Sequence, residues 1–220
     1  MSAVTLDRPW LEFDLGGEMQ VLSWAVHRPG LVRARRILWR EVRNADLPEE
    51  LDVETWLQAE LAARGAGDAV TFLTSRDIRH FTTATATAGK TEAQAVATVG
   101  LSNAERVGHR VDYAGRDWGT INVALRLNRG LTEPALLEAM SVAVQARTAA
   151  VMEADMPLGP ARATGTGTDC VAIAALTGPV RYAGLHTDIG EAVGRAVHTA
   201  VLDGARHWLA TRGETSNATP

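Results

Sequence analysis

The stretch that most constrains the fold is residues 132–152, TEPALLEAMSVAVQARTAAVM. Thr132 is placed to cap a helix, and Pro134 falls in the first turn, where its missing N–H costs nothing. The apolar run continues until Pro157 forbids extension. The segment is nearly apolar all round, so it predicts a helix that must be buried. A second helix is predicted from Thr187, with Ile189, Val193, Val197 and Val201 on one stripe and Gly213 at its end. Gly190 and Gly194 lie where a neighbour can approach closely. Two long helices of this kind need an apolar sheet to cover.

The rest of the chain supplies that sheet. Residues 10–42 read as a meander of short strands, with WLEFDL broken by a Gly16-Gly17 turn, then MQVLSWAV, a Pro29-Gly30 break, and ARRILWREV. Residues 51–64 predict one amphipathic helix stopped at Gly65, and residues 68–73 a strand. Residues 81–100 are rich in Thr, Ala and Val and read as two neighbouring strands joined at Gly89. TINVALRL (120–127) alternates and turns out at Asn128-Arg129-Gly130. Residues 163–176 predict a Gly/Thr loop entering a buried strand. The fold class that follows is α+β: one domain over 1–212, a mixed or antiparallel β-sheet core packed with two long helices from the second half, and a tail at 213–220.

Composition narrows the function classes. Apolar residues make up 46% and charged residues 22% of 220, ordinary globular usage. A net charge of -4 gives no electrostatic footprint for nucleic acid. No run reaches the roughly 18 uninterrupted apolar residues of a spanning helix, so no membrane partner is expected. The single cysteine, Cys170, cannot make an internal disulfide, and the first residues lack a leader pattern, so a cytoplasmic location is expected.

Polar chemistry concentrates where small polar residues stand beside glycines: GLSNAERVG (100–108), WGTIN (118–122), TGTGTD (164–169) and YAGLHTDIG (182–190). Such loops expose backbone N–H groups and let a ligand approach the main chain. The competing reading of each segment alone is a turn closed by local side-chain bonds. Asp169 precedes the apolar run CVAIAAL, so partial burial would favour its use as a general base; otherwise it closes an Asx turn. His186 lies before the last helix and can serve as acid or base. The six histidines show no HxH or HExxH spacing, so no metal site is expected, although dependence on a divalent ion is left open. Cys170 is read as core. Of the six tryptophans, Trp118 is placed near a large flat ligand and the others in the core. ATATAGKT (84–91) fits a loose P-loop pattern with Lys90 and Thr91 at the phosphate and magnesium positions, but its flanks read as extended rather than as a loop feeding a helix.

Taken together, VGLSNAERVG, GTIN, the Ala-rich helix, GTGTD and YAGLHTDIGEAVGRAV resemble the adenosylcobinamide amidohydrolase (CbiZ) family, in order from about residue 100 to 197. The resemblance implies hydrolysis of the amide joining the aminopropanol arm to the corrin ring of adenosylcobinamide, which gives adenosylcobyric acid. The corrinoid is then substrate rather than cofactor, and no cofactor is implied. In that reading Asp169 and His186 share the acid and base roles, and Thr166 is a lesser nucleophile option. Asn103, Asn122 and backbone N–H groups around Gly165 and Gly167 supply oxyanion donors or grip ring amides, and Ser102, Thr120 and Thr168 position the substrate. Trp118 completes the binding set. Two other readings stay open: a non-catalytic corrinoid-binding domain and a P-loop nucleotide protein. The expected partner is the small-molecule corrinoid; a homo-oligomer is compatible with the sequence.

Overall fold

The computed structural model describes residues 3–43, 46–48, 50–109 and 119–215. Among the described residues, twelve strands and three α-helices follow one another: β1 (Ala3–Asp7), β2 (Trp10–Ser23), β3 (Gly30–Glu41), α1 (Val53–Ala63), β4 (Val70–Thr74), β5 (Thr82–Ala88), β6 (Thr91–Val99) and β7 (Ala104–Glu105) come first. The second half holds β8 (Ile121–Leu131), α2 (Glu133–Glu153), β9 (Pro157–Leu158), β10 (Ala161–Arg162), β11 (Gly165–Thr166), β12 (Cys170–Thr177) and α3 (Asp188–Thr215). Eight strands form one mixed sheet in the order β4-β3-β2-β12-β8-β6-β5, with β1 paired to β2. The α+β class expected from the sequence is the class observed.

Alternation along the central strands sorts the core into two faces. Ile121, Val123, Leu125 and Leu127 of β8, with Val171 and Ile173 of β12, pack under α2 and α3. Ala124, Ala172 and Ala174 turn the other way, to Phe13, Trp39 and Phe72 of the β2–β4 half. Helix α1 covers Trp10 and Leu38 through Leu57 and Leu61. Thr132 caps α2 by accepting from the Ala135 N–H at 3.4 Å. In α3 the stripe Ile189, Val193, Val197 and Val201 is buried.

Several expectations are corrected. Gly16-Gly17 is not a turn: β2 runs unbroken from Trp10 to Ser23, and the pair falls in a register shift against β3 between Asp14 and Met19. Gly16 takes φ +75 and its N–H donates to Asp14 Oδ1 at 2.8 Å, so the extra residues are absorbed as a bulge. Helix α2 is buried along one stripe only, leaving Leu137 and Met152 exposed. It is long and apolar enough to cross a membrane by composition, but its buried half lies in the core. Helix α3 carries through Gly213 to Thr215. ATATAGKT forms the β5–β6 hairpin with Gly89 at its turn, so no phosphate-binding loop feeds a helix there.

Strands β8 and β12 are parallel neighbours, so both begin at the same end of the sheet. Strand β6 is antiparallel to β8 and ends there, with Val99 opposite Ile121. Whatever precedes β8 and β12 and follows β6 therefore converges.

Candidate functional site at the strand ends

Three of the four glycine-flanked segments meet at this end. Residues 164–169 close on residues 100–108 through β11, which pairs antiparallel with β7. Gly167 N–H donates to Asn103 O at 3.3 Å, and Val107 N–H to Thr164 Oγ1 at 2.8 Å. The third segment enters through Thr168, whose hydroxyl donates to Gly119 O at 3.0 Å, and through Thr120, whose hydroxyl donates to Thr168 O at 2.8 Å. Asn103 Nδ2 donates to Thr168 Oγ1 at 3.2 Å, and Asn122 Nδ2 donates to Leu73 O at 2.7 Å, tying in the end of β4.

Asp169 sits at the centre. Its carboxylate accepts from Ile121 N–H at 3.1 Å and Thr166 N–H at 3.0 Å, from the Thr166 hydroxyl, and from the guanidinium of Arg147 on α2. The Asp169 and Arg147 side chains are only 6% and 13% exposed, so this is a buried ion pair. Four donors commit the carboxylate's lone pairs to holding two chain segments and a helix together, which suits an anchoring role better than that of a free base. Sequence reasoning missed Arg147, although a lone cation in an apolar helix is itself a signal that a buried anion awaits it.

Glycine is required twice by close approach. A Cβ at Gly165 would lie 2.6 Å from Asp169 Oδ2 and 2.9 Å from Arg147 Nη1, and a Cβ at Gly119 would lie 2.5 Å from Ser102 Oγ and 2.7 Å from Ser102 N. The second contact brings Ser102 against the start of β8.

The fourth segment goes elsewhere. Leu131 at the far end of β8 pairs with Val180, and the turn leading into α3 follows, so His186 lies beyond the opposite end of β12. The eight residues of that strand, at about 3.3 Å each, separate it from Asp169. His186 is exposed, and Asp188 beside it reaches the hairpin turn at Gly89. The structure therefore does not bring His186 and Asp169 together as an acid–base pair. Trp118 lies outside the described residues.

Two cavities border the cluster and share Arg43, Ser75 and Gly119. One, about 230 Å³, is lined by apolar Val26, Val42, Leu47 and Leu73 opposite Thr120, Thr168 and Cys170. The other, about 430 Å³, is lined by Arg76, Asp77, Arg79 and His80 opposite Gly100 and Ser102, with Trp208 of α3 at its edge. A third, about 550 Å³, opens on the far side of Thr166 and Arg147 toward Arg106 and His109. Among the described residues, no group of three or more His, Cys, Asp or Glu side chains is gathered to hold a metal.

The chain matches the family model described as adenosylcobinamide amidohydrolase over residues 2–213. It belongs to that family. A relative from Methanocaldococcus jannaschii, an uncharacterized protein, is 35% identical over 89 residues; the match spans 39% of this chain and 35% of that protein. The chain thus aligns with about a third of that relative's length. A solved structure, the PH0078 protein from Pyrococcus horikoshii OT3, superposes at a TM-score of 0.46 with 10% identity, covering 89% of this chain and 76% of that one.

Trp24, expected in the core, is 45% exposed and donates its indole N–H to Asp169 O at 2.6 Å, on the same side as the apolar cavity. Cys170 donates its thiol to Trp24 O at 3.6 Å, and burial pushes that thiol up to about 11, in keeping with a packing role. Burial, and then the charge of Arg76, hold the His80 imidazole below its ordinary value, and its Nδ1 lies 3.1 Å from His207 Nε2 of α3.

Proposed function

We propose that this chain hydrolyses the amide joining the aminopropanol arm to the corrin ring of adenosylcobinamide, giving adenosylcobyric acid and aminopropanol. The reading rests on the family match together with one observation: the segments 100–108, 119–122 and 164–169, far apart in sequence, share one hydrogen-bonded cluster that opens on adjoining apolar and cationic cavities. An apolar trough beside Trp24, Val26, Leu47 and Leu73 suits the face of a large flat ring, and the polar cavity suits an amide arm.

Amide hydrolysis needs an activated water, a stabilised oxyanion and a proton for the departing amine. Asp169 and Arg147 hold the cluster rigid. We assign water activation to His80, the imidazole that lines the cavity with Ser102, and return of that proton to the amine to the same ring. A neutral ring at pH 7, favoured by burial and by Arg76, is the form that accepts a proton. Arg76, Asp77, Arg79 and His207 are the charged and titratable groups acting on it.

Incubation with adenosylcobinamide in ¹⁸O-water, followed by mass spectrometry, tests the reading. Equimolar aminopropanol and adenosylcobyric acid labelled in its new carboxylate are expected. Binding of the corrinoid without release of aminopropanol would leave the non-catalytic corrinoid-binding reading instead.

A further inference from the structure

The groups expected from the sequence to donate to an oxyanion or to position the substrate are engaged within the cluster. Thr120 and Thr168 donate to backbone carbonyls, Asn122 to Leu73 O, Asn103 to Thr168, and Gly167 N–H to Asn103 O. Thr166 gives both its N–H and its hydroxyl to Asp169. Two cations of the adjoining cavity are engaged in the same way. Arg79 spends Nε and Nη2 on Asp77, at 3.0 and 2.5 Å, and Arg43 Nη2 donates to Glu41 at 2.9 Å. Arg76 is different. Its Nε and Nη2 are buried and have no hydrogen-bond partner among the described residues. Buried guanidinium N–H groups without a partner are destabilising until something anionic or strongly dipolar meets the group, and Arg76 lines the cavity with Ser102 and His80. Burial is the main influence on this group and pushes it down, with Asp77 opposing, yet arginine keeps its charge.

We propose that Arg76 receives the carbonyl oxygen of the scissile amide, holds the oxyanion that forms on it, and then binds the product carboxylate. This inference rests on the hydrolytic reading above. Attack by water forms a C–O bond and moves the carbonyl π pair onto oxygen beside the guanidinium. Collapse of the intermediate breaks the C–N bond, the amine nitrogen takes the proton removed from water, and the acid left behind ionises to a carboxylate. Charge at that oxygen rises from partial to full during addition, so a fixed cation there favours the transition state over the substrate. The planar fork also matches a carboxylate, so the product should bind through the same group.

The test compares wild type with Arg76→Met and Arg76→Lys for turnover of adenosylcobinamide and, by calorimetric titration, for affinity toward adenosylcobyric acid and adenosylcobinamide. Arg76→Met is expected to lower kcat at least about a hundredfold while KM changes less than about threefold. The same variant should weaken adenosylcobyric acid at least about tenfold more than adenosylcobinamide, and Arg76→Lys should restore part of both losses. Turnover within about threefold of wild type, or equal weakening of both corrinoids, overturns the assignment. A lowered melting temperature with Arg76→Lys no better than Arg76→Met also overturns it, because the role is then structural. Should wild type release no aminopropanol, the hydrolytic reading fails by itself, and the titrations still report whether Arg76 prefers the carboxylate.

Discussion

Replacing Asp169 by asparagine perturbs the group on which the cluster converges. The carboxylate accepts from Ile121 N–H, from the Thr166 N–H and hydroxyl, and from Arg147, with 6% and 13% of the two charged side chains exposed. Asparagine keeps one acceptor oxygen and, whichever way the amide is flipped, turns its NH₂ toward at least one group that can only donate: Ile121 N–H in one orientation, Thr166 N–H and Arg147 in the other. The guanidinium of Arg147 is then left buried without its anion. Breaking a buried pair from one side costs about 3–5 kcal/mol. For a chain of this size each kcal/mol lowers Tm by roughly 2–4 °C, so a drop of about 6–20 °C is expected by circular dichroism. Adding Arg147→Met removes the orphaned charge, and the double variant should recover about half of the loss or more. At 25 °C, where the single variant remains folded, turnover of adenosylcobinamide should still fall at least about a hundredfold, because the chain segments flanking the cavities are no longer fixed. A Tm within about 3 °C of wild type, or a double variant less stable than the single one, would refute this reasoning.

Three further outcomes follow from other contacts. Gly119→Ala puts a methyl group 2.5 Å from Ser102 Oγ and 2.7 Å from its backbone nitrogen, so a loss of about 1–3 kcal/mol in urea unfolding is expected, along with reduced turnover. Cys170, held up to about 11 by burial, stays protonated through neutral pH; iodoacetamide at pH 8 should label the native protein at under about a tenth of the rate of the unfolded chain. Folded His80 resists protonation more than the unfolded ring does, so stability is full above about pH 6.5 and declines below it as the unfolded state takes the proton. His80→Gln should flatten that decline in Tm against pH, and should lower turnover at least about a hundredfold if the imidazole activates water.

What was legible in the sequence were the features set by local chemistry. The cap at Thr132, the stripe on α3 and the Ala-Thr hairpin of β5 and β6 depend on neighbours a few residues away, and they are read directly from spacing. The coming together of residues 100–108, 119–122 and 164–169 was legible too, through glycines standing beside small polar groups. The fourth such segment shows the limit of the signal. Small polar residues beside glycine also make an ordinary helix entry, and Thr187, which accepts from Gly190 N–H at 3.0 Å, does so at the far end of the sheet. Long-range pairing was not readable. Nothing local says that β2 carries Gly16-Gly17 as a bulge or that β12 lies between β2 and β8. The cationic wall was missed because TSRDIRH matches no spacing rule, although a dense run of Arg, Asp and His after a strand is a signal in hindsight. Trp24 was placed in the core by composition alone, whereas its indole N–H finds Asp169 O at the surface.

The most direct measurement is a crystal structure of the complex with adenosylcobyric acid. The account predicts the corrin ring over Trp24, Val26 and Leu73, with its free carboxylate directed past Ser102 to Arg76 and His80. A ring seated instead beside His186 at the other end of the sheet would contradict it.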